Sequence, residues 1–202
     1  MKKTVLSLLV VLLLAASFCA AAAQGDKTLY NRAVSLYENQ KYYDAYDLFI
    51  QSQYEDWEAR ANKCIRRWPR KNGEIWRNNS QWLVDTRITF DVEQPDDSAI
   101  FLRIYKDKEP MSYVFIGGTD KVTIGVPGNG TYMIMDGVGS DWFGPDDAFG
   151  PNGAYETMTF GKHEEETYFF EARYEYTITI NIKNAKGEDI GSEPAEWEDF
   201  RG

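Results

Sequence analysis

The chain has 202 residues, with 32 acidic against 22 basic side chains and a formal net charge of −10. A negative field of that size disfavours nucleic acid and anionic lipid surfaces as partners. With one histidine and two cysteines, one of them inside an N-terminal apolar run, the mature chain cannot assemble the usual zinc ligands or close an internal disulfide.

Residues 1–23 have the three parts of an export signal. Lys2 and Lys3 give a positive start, Val5 to Ala16 is apolar apart from Ser7, and a small-residue stretch follows. Ala21 and Ala23 stand where a signal peptidase reads small side chains, so cleavage before Gln24 is expected. The alternative is an uncleaved anchor, since Val5 to Ala23 is just long enough to span a bilayer. Lipid attachment at Cys19 is disfavoured by the bulky Phe18 before it. The destination is outside the cell or in the cell envelope, with membrane contact only through an uncleaved N-terminal segment.

Residues 24–70 read as helical. Leu29, Ala33, Leu36 and Tyr37 recur at helical spacing, and so do Tyr42, Ala45, Leu48 and Phe49. A third run places Trp57, Ala61, Cys64 and Ile65 on one face before Pro69 stops it. Cys64 is expected as a small buried apolar residue, with an intermolecular disulfide as the alternative. The cations Lys63, Arg66, Arg67, Arg70 and Lys71 offset a helix C-terminus better than they make a phosphate site. Ala33, Tyr42, Ala45, Phe49 and Ser52 fall on the small and aromatic positions of a tetratricopeptide repeat, which this region resembles. Arg32 departs from that repeat's usual leucine and Gln40 from its turn glycine. The resemblance covers one repeat, so it implies a helical hairpin and a partner surface but no extended peptide groove.

Residues 71–81 read as a linker. From Trp82 the apolar period changes to two: Val84, Thr86, Ile88, Phe90 and Val92 alternate with polar residues. Ile100, Leu102 and Ile104, then Tyr113 to Ile116, then Val122, Ile124 and Val126, then Tyr132 to Met135 continue the pattern. Turn signals at Asp107 to Pro110, Gly117-Gly118 and Pro127 to Gly130 separate them. Glu156 to Phe160, Thr167 to Glu171 and Tyr174 to Ile182 follow. The fold class is therefore α+β: an N-terminal helical hairpin, then an antiparallel β-sandwich over residues 82–184. Residues 185–202 read as an acidic tail.

Val122 to Ile134, VTIGVPGNGTYMI, resembles an edge found in prealbumin-like and immunoglobulin-like sandwiches. Gly130-Thr131-Tyr132, Trp142-Phe143-Gly144, Phe149-Gly150 and Tyr155-Glu156 resemble a series in exported proteins of Gram-positive anaerobes, where it follows a short helical repeat. The resemblance implies fold and location and carries no activity.

The chemistry is sparse. His163 lies between Lys162 and Glu164-Glu165-Glu166, an expected exposed turn with nothing to orient a catalytic base. No cofactor is expected. Calcium is the metal best suited to Asp136, Asp141, Asp146 and Asp147, but Val138 and Asp141 break the EF-hand order. Gly128-Asn129-Gly130 and Gly137-Val138-Gly139 open no helix, so neither is a nucleotide fingerprint. The remaining candidate is the loop carrying Phe143-Gly144-Pro145 and Phe149-Gly150-Pro151. Its candidate ligand-binding residues are Trp142, Phe143, Asp146, Asp147 and Tyr155. Such aromatics stack on sugars or anchor a protein partner when exposed. The competing expectation is that Trp142, Phe149 and Tyr155 are buried and plug the end of the sandwich. The sequence thus favours a non-enzymatic binding or scaffold module whose partner is a cell-surface protein or glycan. The alternative is a secreted carbohydrate-active enzyme using the loop carboxylates.

Overall fold

Asp26 starts the first helix by accepting hydrogen bonds from the backbone N–H groups of Thr28 and Leu29, at 2.8 and 3.1 Å. In the computed structural model, which describes residues 25–78, 84–94, 97–160, 165–181 and 190–201, helix α1 runs over Lys27–Glu38. Gln40 then turns the chain at φ 62°, in the left-handed region that glycine usually supplies. Helix α2 is Tyr42–Ser52, and its Ser52 carbonyl accepts from Asp26 N–H at 2.7 Å. The start of α1 thus meets the end of α2. The fully buried methyls of Ala33 and Ala45 allow the close approach, and Tyr30 packs edge-on against Phe49 at 5.5 Å. Helix α3, Trp57–Cys64, is tied back through Asp56, which accepts from the Tyr30 hydroxyl and pairs with Arg60 at 3.0 Å. Cys64 is buried, as expected.

The chain divides at Ile65 and Arg66 into two units. Among the described residues of the second unit ten strands form two sheets. They are β1 Gly73–Arg77, β2 Thr86–Glu93, β3 Ala99–Lys106, β4 Glu109–Gly117 and β5 Asp120–Val126. β6 Gly130–Gly139, β7 Ala154–Phe160, β8 Tyr168–Phe170, β9 Glu175–Asn181 and β10 Ile190–Pro194 follow, and a short helix α4, Trp197–Arg201, comes last. The large sheet has the order β1-β4-β3-β6-β7-β10, with β8 paired to the start of β6. The small sheet has the order β5-β2-β9.

Both sheets share one apolar core. Ile88, Phe90 and Val92 of β2, Ile124 of β5 and Ile178 of β9 lie in one cluster with Ile100, Leu102, Ile104, Tyr132 and Ile134 of the large sheet. The fold is α+β with two mostly antiparallel sheets, consistent with a sandwich. A second core covers the opposite face of the large sheet, where Phe101, Phe115, Met135 and Tyr155 meet Trp142, Phe149 and Phe200. Strand β3 is consequently buried on both faces from Ala99 to Ile104.

Three expectations are corrected. The linker expected over 71–81 contributes β1, which pairs antiparallel with β4 through Trp76 opposite Tyr113. The sheets are not wholly antiparallel: β9 joins β2 in parallel, Ile178 beside Phe90, because the chain enters β9 from the other sheet rather than through a hairpin. The acidic tail expected over 185–202 contains β10, paired with β7, and helix α4, whose Phe200 is fully buried. The expected leader over residues 1–23, the Trp82 start of the first strand and His163 lie outside the described residues.

Candidate functional site

The aromatic loop is held by its own backbone. Phe143 N–H donates to the Ala148 carbonyl at 2.8 Å, and Ala148 N–H to the Gly144 carbonyl at 2.7 Å. Gly144 sits at φ 114°, where a side chain is strained. Trp142, 4 % exposed, lies edge-on to Phe101 at 4.9 Å and Phe115 at 5.0 Å, with Phe149 at 5.5 Å. The Tyr155 hydroxyl donates to the Gly150 carbonyl at 2.7 Å and accepts from Phe149 N–H at 3.1 Å. Burial pushes that phenol well above its ordinary pKa.

Arg103 fastens this cover to the sheet. Its guanidinium, buried under the loop, donates to the carbonyls of Pro145 at 2.7 Å, Asp146 at 3.1 Å and Arg201 at 3.0 Å, and also to that of Phe200. The Phe200 ring lies 4.8 Å from it. The buried Asp147 pairs with Arg201 at 2.9 Å, and its carbonyl accepts from the Trp197 indole at 3.0 Å. Of the five candidate loop residues, Trp142, Phe143, Asp147 and Tyr155 are buried, and Asp146 alone is exposed. The burial expected of Trp142, Phe149 and Tyr155 is observed, but they cover the outer face of the large sheet rather than plug the sandwich's end. No ring of Trp142 or Phe143 is presented for stacking on a ligand in this arrangement. Among the described residues no group of three or more histidines, cysteines or carboxylates is placed to hold a metal ion.

Of the aspartates considered for calcium, Asp147 pairs with Arg201 and Asp136 lies on β6. Asp136 is 6 % exposed and faces the inner core, in phase with Tyr132 and Ile134 along β6. Leu102 stands opposite it on β3 and Glu156 on β7. Burial first, and then the charge of Glu156, push the Asp136 carboxyl up to about 8. At neutral pH this carboxyl carries a proton. The signal for it was the alternation Tyr132, Ile134, Asp136, Val138, which puts a carboxyl on an apolar face.

A surface overlooked by the sequence reading lies where the chain crosses from β8 to β9. Tyr168, Phe169 and Tyr174 are 40, 54 and 58 % exposed. Beneath them Phe170 is buried against Tyr132, ring centroids 5.1 Å apart, and packs edge-on against Tyr176 at 4.6 Å. Tyr176 in turn meets Tyr168 at 6.0 Å and Tyr174 at 6.4 Å. The crossover is fixed by backbone groups: Glu171 N–H donates to the Tyr176 hydroxyl at 2.9 Å, Ala172 N–H to Asn129 Oδ1 at 3.1 Å and Arg173 N–H to the Asp85 carbonyl at 2.9 Å. Glu165 and Glu166 shortly before β8, Glu171 in the crossover and Glu175 at the start of β9 are exposed. Three consecutive aromatics, Tyr168-Phe169-Phe170, were the available signal, since a strand cannot turn all three inward.

Among the described residues no helix is long and apolar enough to cross a membrane. No family model, curated protein or solved structure matches this chain.

Proposed function

We propose that this protein is an exported, non-enzymatic binding or scaffold module that works in the cell envelope or outside the cell. In this reading residues 1–23 direct export, a single tetratricopeptide-like hairpin precedes an immunoglobulin-like or prealbumin-like sandwich, and the β8–β9 aromatic surface is the contact. The observation that carries it is the exposure of Tyr168, Phe169 and Tyr174 on a crossover held by three backbone hydrogen bonds. Amphipathic rings on a rigid base give contact area at little entropic cost. The aromatic loop supports the reading by serving the fold, with its rings and Asp147 already engaged.

The test immobilises the mature chain and captures glycans and proteins from cell-envelope fractions. Tyr174→Ala, at the most exposed of these rings, is expected to abolish capture while leaving the melting temperature unchanged. Turnover of a glycan panel that disappears on Asp146→Asn would overturn the reading in favour of a carbohydrate-active enzyme.

A further inference from the structure

We infer that the outer edge of β9, beside the aromatic crossover, takes an extended basic segment of a partner protein as an added strand. This rests on the binding-module reading and names the occupant of its contact surface. β9 ends the small sheet. In a parallel ladder alternate residues bond to one neighbour. Arg87 N–H donates to the Tyr174 carbonyl at 3.2 Å, which assigns Tyr176, Ile178 and Ile180 to β2. The backbone groups of Glu175, Thr177 and Thr179 therefore point away from β2, and among the described residues nothing pairs with them.

Natural sheets blunt such edges with proline, lysine, a bulge or a cover. Of the other sheet ends, β1 carries an irregularity between Glu74 and Trp76, β10 ends in Pro194, and the Gly125 carbonyl of β5 accepts from Arg77 at 2.6 Å. β9 reads Glu-Tyr-Thr-Ile-Thr-Ile-Asn, with no proline, lysine or bulge, and among the described residues no strand covers its outer edge. Its seven residues span roughly 23 Å, room for an added strand of ordinary length.

Charge selects the occupant. Glu171 in the crossover and Glu175 at the start of β9 are exposed, as are Glu165 and Glu166 shortly before β8, against Arg173 in the crossover and Arg87, which lies 3.5 Å from Glu175. The exposed faces of Tyr168 and Tyr174 suit lysine and arginine side chains. A second copy of this chain would set one acidic rim against another, each chain carrying a formal charge of −10. A basic extended segment meets the edge, the rings and the carboxylates together.

The test titrates a fluorescent peptide of alternating lysine and valine, and its glutamate-valine counterpart, into the mature protein and follows anisotropy. The lysine peptide is expected to bind and the glutamate peptide not to. Thr177→Pro removes an edge N–H that β2 does not use and should weaken binding about tenfold or more, as expected for lost strand hydrogen bonds at an edge that tolerates proline. Should that variant unfold, the double change Thr177→Lys with Thr179→Lys leaves the ladder intact and should repel the peptide similarly. Equal affinity for both peptides, or binding unaffected by whichever edge variant is folded, overturns strand addition. So does a concentration-dependent dimer in sedimentation that Thr177→Lys with Thr179→Lys dissolves. If Tyr174→Ala still abolishes envelope capture while the edge variants do not, the binding surface stands and strand addition alone falls. If neither change affects capture, both readings fall.

Discussion

Truncating Trp142 to alanine removes an indole that is 4 % exposed and touches the rings of Phe101, Phe115 and Phe149 at 4.9, 5.0 and 5.5 Å. Large-to-small changes of buried aromatics cost about 3–5 kcal/mol, the spread depending on how far the site collapses. Collapse is limited here. Phe101 and Phe115 belong to a sheet whose other face is also packed, and the loop above is pinned by Arg103. The upper half of that range applies, about 4 kcal/mol. For a unit of this size each kcal/mol lowers the midpoint by about 3–4 °C, so a fall of roughly 12–16 °C is expected. Thermal unfolding followed by near-ultraviolet circular dichroism measures it, with urea titration as a check on two-state behaviour. Trp76→Ala is the control, because Trp76 is exposed on an edge strand and should cost under about 1 kcal/mol. A Trp142→Ala midpoint equal to wild type would refute the packing argument and return Trp142 to the candidate ligand residues.

Arg103→Lys should cost about 2 kcal/mol or more, because an ammonium cannot reach the four carbonyls the guanidinium serves, and it should speed proteolysis within 143–150. Limited chymotrypsin digestion, which can cut after Phe143 and Phe149, checks this against wild type, and an unchanged rate refutes it. For Asp136, the unfolded chain releases its proton near the ordinary carboxylate value of about 4, whereas the folded protein keeps it up to about 8. The folded state therefore holds the extra proton between those values, and stability should fall as pH rises through that window, by up to about 1.4 kcal/mol per unit. Asp136→Asn should flatten the slope and exceed wild type in urea midpoint above about pH 8. Parallel pH profiles for the two would show that the carboxyl is ionised in the fold. Mass spectrometry of the exported protein should find a mature chain starting at Gln24, and an intact 1–23 segment in the membrane fraction contradicts that expectation.

What could be read before the fold was known tracks how local the cause is. The buried set Thr86, Ile88, Phe90 and Val92 follows from alternation alone, since one face of β2 is wet. β3 is different: Ala99 to Ile104 is buried on both sides because the 143–150 loop and α4 return to cover the outer face. Alternation recovers Ile100, Leu102 and Ile104 but is silent about Phe101, and it gives no reason for Arg103 to be inside. Arg103 makes sense only once carbonyls from 145, 146, 200 and 201 converge on it from far along the chain. The same remoteness hid the end of the chain. Trp197, Phe200 and Arg201 are sparse among acidic residues and look like a tail until Phe101, Asp147 and Arg103 supply their partners. The loop's aromatics drew attention because Gly-Pro turns are conspicuous, yet conspicuous turns mark a shape that must be packed, and packing consumed the rings. The exposed rings Tyr168, Phe169 and Tyr174 lie instead where aromatic density exceeds what a strand can turn inward. In a β-rich chain of this kind, an aromatic surplus over the period-two pattern locates exposed rings better than aromatic turns do. That criterion depends on burial geometry alone and so applies before any fold is known.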